Sequence, residues 1–176
     1  ASAYNTRRLQ CESAATRLGV PALRDVSLNA LDAAAGDWDA DTYRRARHVV
    51  SENQRTLEAA DALERGDVTR VGELMAASHR SLRDDFEVTI PAIDFLVERL
   101  AEIVGPQGGV RMTGGGFGGC VVALAPIHMA PALRAVVDGA YAEHTGHVGR
   151  FFICRPSAGA GLVTPASPKA ETLSAY

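Results

Sequence analysis

The stretch Arg111-Met112-Thr113-Gly114-Gly115-Gly116-Phe117-Gly118-Gly119-Cys120 places five glycines in six residues between two short apolar segments. Glycine loses more backbone entropy on ordering than any other residue, so a run this dense is a costly way to join two elements. It allows positive φ angles and lets backbone N–H groups approach a ligand, usually a phosphate or a sugar. A tight hairpin or close backbone packing is the alternative for glycines in general. For five glycines flanked by Thr113 and Cys120, we favour a ligand-binding loop.

Three phosphate-binding patterns share parts of this spacing. Gly114, Gly116 and Gly119 satisfy the dinucleotide pattern G-x-G-x-x-G, but that site needs a helix directly after the loop. The apolar residues 120–125 that follow predict a buried strand instead. The protein-kinase glycine loop does lie between strands, but it needs a lysine on the next strand, and the only lysine here is Lys169. The P-loop is excluded for the same reason.

The composition indicates a globular chain of one domain. The 176 residues are 47% hydrophobic and 22% charged. The formal net charge of −3 provides no basic field, so we expect no nucleic-acid partner. No apolar run is long enough to span a bilayer and no signal peptide is recognisable, so we expect no membrane partner and a cytoplasmic location. The first residue is not Met and a helix pattern follows at once, so we expect a chain that begins inside a longer protein.

Helical periodicity dominates the first part of the chain. It predicts a helix from Asn5 or Thr6 to residue 18, then helices over residues 27–35 and 42–65, one capped by Asp67, and one over residues 91–104. The third helix is the most regular, and its predicted inner face comprises Tyr43, Ala46, Val49, Val50, Asn53, Leu57, Ala60 and Leu63.

The second part of the chain changes character. Residues 110–112 and 120–125 predict strands on either side of the glycines, residues 131–143 a helix and residues 150–154 a final strand. This order predicts an α+β fold. The segment after residue 157 is rich in Ala, Gly, Pro and Ser, so we take residues 1–160 as the domain and residues 161–176 as a loose tail.

The remaining polar residues favour structural roles. We expect a solvated charged cluster at a helix end, in which Arg83 pairs with either aspartate, from His79, Arg80, Arg83, Asp84 and Asp85. His48 and Glu52 are four residues apart on one helix, and surface or interhelical hydrogen bonding is preferred for them. The sequence predicts no disulfide or metal site from its other candidates, which are Cys11, Cys120, Cys154, His144 and His147.

Residues 112–120 resemble the third conserved motif of the galactokinases, which belong to the GHMP small-molecule kinase superfamily. Three further stretches are similar to galactokinase segments in the same order and spacing, namely residues 4–12 (YNTRRLQCE), 44–52 (RRARHVVSE) and 78–87 (SHRSLRDDFE). The glycine motif alone indicates GHMP kinases broadly, and the other stretches narrow the resemblance to galactokinase. It implies an α+β domain of the GHMP kinase C-terminal type, with a ferredoxin-like antiparallel sheet and several added helices.

The resemblance also implies a function for the complete protein. Galactokinases transfer the γ-phosphoryl group of ATP to the anomeric hydroxyl of galactose, a reaction that depends on positioning and charge stabilisation. In the family, the catalytic aspartate, the arginine beside it, the Mg²⁺ ligands and the main ATP loop come from upstream sequence. No residue here matches them. The resemblance therefore implies no catalytic or metal-binding residue and no cofactor bound by this chain alone, while the complete enzyme needs ATP, Mg²⁺ and an N-terminal domain.

Two parts of the family's site do match this sequence. Tyr4 matches the family tyrosine whose hydroxyl contacts the sugar, a role that suits a phenol because it donates, accepts and packs. The loop that shapes the site near the sugar and the phosphates, with backbone amides as donors, matches Thr113, Gly114, Gly115, Gly116, Phe117, Gly118 and Gly119. A purely structural loop is the alternative.

The leading hypothesis is the C-terminal domain of a galactokinase, inactive alone. The runner-up is a non-catalytic sugar-sensing or regulatory module of galactokinase type. A third is a related GHMP kinase acting on N-acetylgalactosamine, mevalonate or homoserine, and Tyr4 with its helix argues against the last two. We also expect an exposed, partly apolar surface that faced the N-terminal domain and promotes association.

Overall fold

The computed structural model of the chain describes residues 2–157. The helices are α1 (Ala3–Arg17), α2 (Leu28–Ala34), α3 (Ala40–Glu64), α4 (Val68–Asp84), α5 (Pro91–Val104), α6 (Ala130–Val136) and α7 (Ala142–Thr145). A π-helical turn, Val137–Tyr141, joins the last two. The strands are β1 (Gly109–Thr113) and β2 (Cys120–Leu124). The predicted α+β fold class is therefore confirmed. The tail predicted over residues 161–176 lies outside the described residues.

The helix starts follow from side-chain caps. The side chains of Ser2, Ser27, Asp39 and Asp67 each accept a hydrogen bond from a backbone N–H three residues along, which satisfies one of the free amides of a first turn. The cap at Asp67 was predicted. The cap at Ser2 was not, and it starts α1 before the predicted Asn5 or Thr6.

The sheet is a hairpin in which the glycine run is the connection. β1 and β2 pair antiparallel, with Gly109 opposite Leu124 and Thr113 opposite Cys120. Within residues 2–157 the sheet has these two strands only, so it is smaller than the ferredoxin-like sheet expected.

Two expectations about strands were wrong. Residues 150–154 form no strand, and the side chains of Phe152 and Ile153 are exposed. Strand β2, predicted to be buried, leaves Cys120, Val122 and Ala123 exposed. Both predictions rested on β-branched and aromatic residues, which favour extended backbone. A strand also needs a neighbouring strand to pair with, and a buried strand needs other elements to cover its faces, and neither can be read from residue type. Among the described residues, β2 has a pairing partner along one edge alone.

Two apolar clusters form the core. In one, α5 packs on β1 and α6, with Val97, Leu100, Val110, Met112 and Leu133 among its buried members. Close packing also brings α4 against the start of β1. A Cβ atom on Gly72 would lie 1.7 Å from the carbonyl oxygen of Gly108, so this contact tolerates no side chain. The glycine loop therefore extends from a strand that is packed on both α4 and α5.

The second cluster holds the helical part together. It joins α1, α2 and the first half of α3 through Ala14, Leu31, Ala46 and Val50. The prediction for the second half of α3 was wrong, since Leu57 and Leu63 are 65% and 59% exposed. Their helical spacing is regular, but of the last thirteen residues of this helix only Ala62 is buried.

No helix within residues 2–157 is long and apolar enough to cross a membrane.

Candidate active-site loop

The connection between β1 and β2 has an unusual backbone. Five of its six residues have φ angles in the left-handed region, which costs little for glycine and is strained for other residues. These angles are 102° at Gly114, 83° at Gly116, 57° at Phe117, 126° at Gly118 and 97° at Gly119. The path of the loop therefore favours glycine at residues 114, 116, 118 and 119. Phe117 adopts the same conformation without being glycine, so neighbouring contacts must hold it there.

Those contacts come from Val88, in the segment between α4 and α5. The N–H of Phe117 donates a hydrogen bond to the carbonyl oxygen of Val88 at 2.6 Å. A Cβ atom on Gly116 would lie 2.7 Å from the Val88 Cβ and 2.8 Å from its carbonyl oxygen. Gly116 is thus required by both its φ angle and this close approach. The loop lies against Val88 through two consecutive residues.

Most of the loop amides have no hydrogen-bond partner among the residues that the structure describes. Apart from Phe117, no residue of the segment 114–119 donates a backbone hydrogen bond within residues 2–157. A Cβ atom on Gly114, Gly115 or Gly118 would meet nothing within 4 Å, so these residues face open space. A set of free N–H groups on left-handed backbone is a geometry that receives oxygen atoms of a phosphate or sugar. The Phe117 amide, which we included among the expected donors, is already used internally.

The strand that enters the loop is fixed by a buried histidine. The N–H of Met112, a fully buried residue, donates to Nδ1 of His79 at 3.3 Å. Nδ1 is therefore the unprotonated nitrogen, and Nε2 lies 3.3 Å from Oδ1 of Asp94. Burial lowers the pKa of His79, and Asp94 opposes that shift in part. The expectation that His79 belongs to a solvated cluster was wrong, since only 4% of the residue is exposed.

The turn before α5 carries a strained acidic residue. Glu87 has a φ angle of 52°. Its Oε2 lies 2.6 Å from Nη2 of Arg45, and its Oε1 lies 3.0 Å from Nη2 of Arg44. Arg45 is 1% exposed and also donates to the carbonyl oxygen of Asp85. The hydrogen bond from Arg45 is the main cause that lowers the pKa of the Glu87 carboxyl.

The first helix contacts the same turn. Arg7 donates from Nε to the carbonyl oxygen of Phe86 at 2.5 Å and from Nη2 to that of Glu87 at 3.1 Å. Tyr4 lies three residues earlier, so both side chains are on one face of α1. Tyr4 is 61% exposed. The structure therefore links the helix of Tyr4 to residues 86 and 87, and the glycine loop to the next residue, Val88.

A second polar contact joins α3 to α4. Nδ1 of His48 lies 2.9 Å from Oγ of Ser81, and that hydroxyl donates to Oδ2 of Asp85 at 2.8 Å. The interhelical hydrogen bond preferred for His48 is thereby confirmed. Asp85 also pairs with Arg47 at 2.9 Å.

The other candidates are brought to no common site. Arg83 pairs with Asp84 at 2.8 Å, as one of the two expected pairings. The ring of His144 stacks on Phe95 at 3.9 Å between centroids. Within residues 2–157 no group of three His, Cys, Asp or Glu side chains is arranged to hold a metal ion.

Comparison with known proteins agrees with this arrangement. Residues 59–142, which include α4, α5, the hairpin and the glycine loop, match the family model for the GHMP kinases C terminal. These residues are therefore similar to the C-terminal domain of the GHMP kinases. A crystal structure of Lactococcus lactis galactokinase complexed with galactose is similar over 84% of this chain, with a TM-score of 0.76 and 38% sequence identity. The match covers 39% of the galactokinase, so the chain spans about two fifths of that protein's length.

These findings confirm the resemblance that residues 112–120 and the three helical stretches indicate. The roles of Tyr4 and of the individual loop residues stay predictions. Sequence reasoning missed two residues of the GHMP domain that support the loop, Glu87 and Val88. Neither is a glycine or a motif residue with an obvious task, and only the charged stretch that ends at Glu87 marks the place.

Proposed function

We propose that this chain is the C-terminal part of a galactokinase, an enzyme that transfers the γ-phosphoryl group of ATP to the C1 hydroxyl of galactose. The observation that carries the proposal is the glycine hairpin, with its free amides on left-handed backbone, in a fold that matches galactokinase. The similar Lactococcus protein was crystallised with galactose, which supports this sugar as the substrate class.

The proposed task of the loop is positioning. Phosphoryl transfer needs the acceptor hydroxyl and the phosphate held in line, and fixed N–H donors stabilise charge on phosphate oxygens at little reorganisation cost. Residues 113–119 form this wall of the site. Tyr4 presents its hydroxyl to the sugar, as an exposed phenol on α1 is free to do.

The remaining chemistry comes from outside this chain. ATP supplies the transferred group and Mg²⁺ neutralises its phosphates in the complete enzyme. We propose that the base, the metal ligands and the main ATP loop belong to an N-terminal domain, which is the partner of this chain. The domain comprises residues 1–160, and the enzyme acts in the cytoplasm without a nucleic-acid or membrane partner.

A coupled ADP-release assay with galactose, ATP and Mg²⁺ tests the proposal. The chain alone is expected to give no turnover above buffer, and addition of the N-terminal domain in trans is expected to restore it. Calorimetric titration of galactose into each preparation separates the alternatives. Binding of galactose without turnover in the mixture would support the sugar-sensing module instead. Turnover by the isolated chain would contradict the proposal that the catalytic base and the metal ligands belong to the N-terminal domain.

A further inference from the structure

The turn formed by residues 86–88 contains a strained backbone conformation at a residue that is not glycine. Glu87 lies in the left-handed region, at a φ angle of 52°, where residues with a Cβ atom are disfavoured. Such a conformation persists only where surrounding contacts determine it. Glycine would adopt this φ angle without strain, and an exposed turn needs no side chain for packing. The presence of glutamate therefore indicates that its carboxylate is needed at this position.

The carboxylate is held from two helices. From α3, Arg45 contacts Oε2 at 2.6 Å and Arg44 contacts Oε1 at 3.0 Å. From α1, Arg7 lies 3.7 Å from Oε2 and donates to the backbone carbonyl of Glu87 at 3.1 Å. Arg45 is almost completely buried, so its charge depends on this carboxylate and on the carbonyl of Asp85. Charge-assisted hydrogen bonds are the strong class, which makes this a firm attachment.

The glycine loop contacts the next residue of the same turn. Val88 follows Glu87 directly, and its carbonyl oxygen accepts the hydrogen bond from Phe117 while its side chain lies against Gly116. A rotation of the backbone at Glu87 therefore displaces the acceptor that Phe117 needs. Phe117 is itself left-handed, at a φ angle of 57°, and loses its restraint when that acceptor moves.

We propose that Glu87 is a positioning residue for the glycine loop: the arginines of α1 and α3 hold its carboxylate, and the turn so fixed sets where residues 116 and 117 lie. The inference deepens the proposed function and rests on it for the catalytic consequence. Because Arg7 shares a helix face with Tyr4, the same turn also fixes the sugar-contacting helix relative to the loop.

Amide hydrogen exchange measured by NMR on the chain itself tests the structural step. Glu87→Gln removes the charge and keeps the side-chain length, and we expect the Phe117 amide to exchange about tenfold faster at neutral pH while amides of α5 keep their rates. The matched control is Glu58→Gln, whose parent carboxylate pairs with Arg70 at 2.7 Å away from the loop. We expect it to leave Phe117 within about twofold of the unmodified chain.

An unchanged Phe117 rate in Glu87→Gln would overturn the proposal. Equal acceleration in α5 would also overturn it, because it would show general destabilisation. If Glu87→Gln does not fold, Arg44→Gln removes one exposed partner and is expected to speed Phe117 exchange by about threefold. An unchanged rate in that variant would count equally against the proposal.

Kinetics in the complete kinase tests the catalytic consequence. Glu87→Gln is expected to lower kcat/KM for galactose phosphorylation about tenfold, while Glu58→Gln keeps it, at a temperature where both variants are folded. If the unmodified protein phosphorylates no galactose, the proposed function fails while the exchange experiment still decides the role of Glu87. If galactose is phosphorylated and both variants have equal kcat/KM, the positioning role is refuted.

Discussion

Protonation of His48 is predicted to destabilise the fold as the pH falls from about 6.5 to about 4. The ring is 6% exposed and stacks on Phe86 at 4.5 Å. The Ser81 hydroxyl gives its hydrogen to Asp85, so Nδ1 of His48 is the donor between them and Nε2 is unprotonated. Burial lowers the pKa of His48 to about 4 and outweighs the attraction of neighbouring carboxylates, chiefly Glu52.

The loss in the free energy of unfolding follows from the difference between the pKa values of His48 in the unfolded and folded chain. The unfolded chain binds a proton on this histidine near pH 6.5 and the folded chain near pH 4, so stability is present in full above 6.5 and is lost as the pH falls between these values. The slope is about 1.4 kcal/mol per pH unit, and the total is about 3 kcal/mol as an order of magnitude. The pKa of His79 is lowered too, so it adds a loss of the same sign.

The assay is urea unfolding at a series of pH values from 7.5 to 4.5. His48→Asn keeps a donor toward Ser81 but cannot titrate, and its free energy of unfolding is expected to fall less steeply by about 1 kcal/mol per pH unit. The control is His147→Gln, an exposed position, which is expected to keep the slope of the unmodified chain. An NMR titration that places the midpoint of folded His48 near 6.5 would refute the reasoning.

Three further predictions, two of them with a matched control substitution, concern the loop, the core and Tyr4. Gly116→Ala is expected to lower the free energy of unfolding, measured in urea, by about 2–4 kcal/mol, because its Cβ atom adds backbone strain and overlaps with Val88. The Cβ atom of Gly115→Ala meets open space, so the free energy of unfolding is expected to stay within about 0.5 kcal/mol. Leu31→Ala, in a fully buried position, should cost about 2–5 kcal/mol, and Leu57→Ala, at an exposed one, under about 0.5 kcal/mol; equal costs would contradict the exposure of the second half of α3. Tyr4→Phe should change the free energy of unfolding by less than about 0.5 kcal/mol, because Tyr4 is exposed, and should weaken galactose binding by the complete kinase in calorimetry. An unchanged affinity for galactose would show that the Tyr4 hydroxyl does not contact the sugar.

The sequence predicts the local features well because each has a local cause. The cap at Asp67, the helix start at Pro91 and the hairpin around the glycines follow from residue types at fixed offsets. The dense glycines at residues 114–119 also predict left-handed backbone, which the structure confirms at Gly114, Gly116, Gly118 and Gly119.

The tertiary features were harder to predict because distant residues decide them. Nothing local distinguishes the buried Leu31 from the exposed Leu57, since both lie on regular helical patterns and differ only in what covers them. The burial of His79 and Arg45 likewise depends on elements far along the chain. Glu87 gives no sign of left-handed backbone, because the arginines that hold it are 42 residues or more away. For the candidate site, the loop was therefore predictable and its support was not.

The central claim is that this chain supplies the sugar-side wall of a galactokinase. A chimera tests it most directly, with this chain in place of the matching two fifths of Lactococcus lactis galactokinase. Galactose-dependent ADP release by the folded chimera is predicted, with at least about a tenfold loss in kcat/KM for its Gly116→Ala variant. No loss is predicted for Gly36→Ala, a control outside the loop, where an added Cβ atom meets nothing within 4 Å. A chimera that folds and binds ATP but does not phosphorylate galactose would contradict the claim.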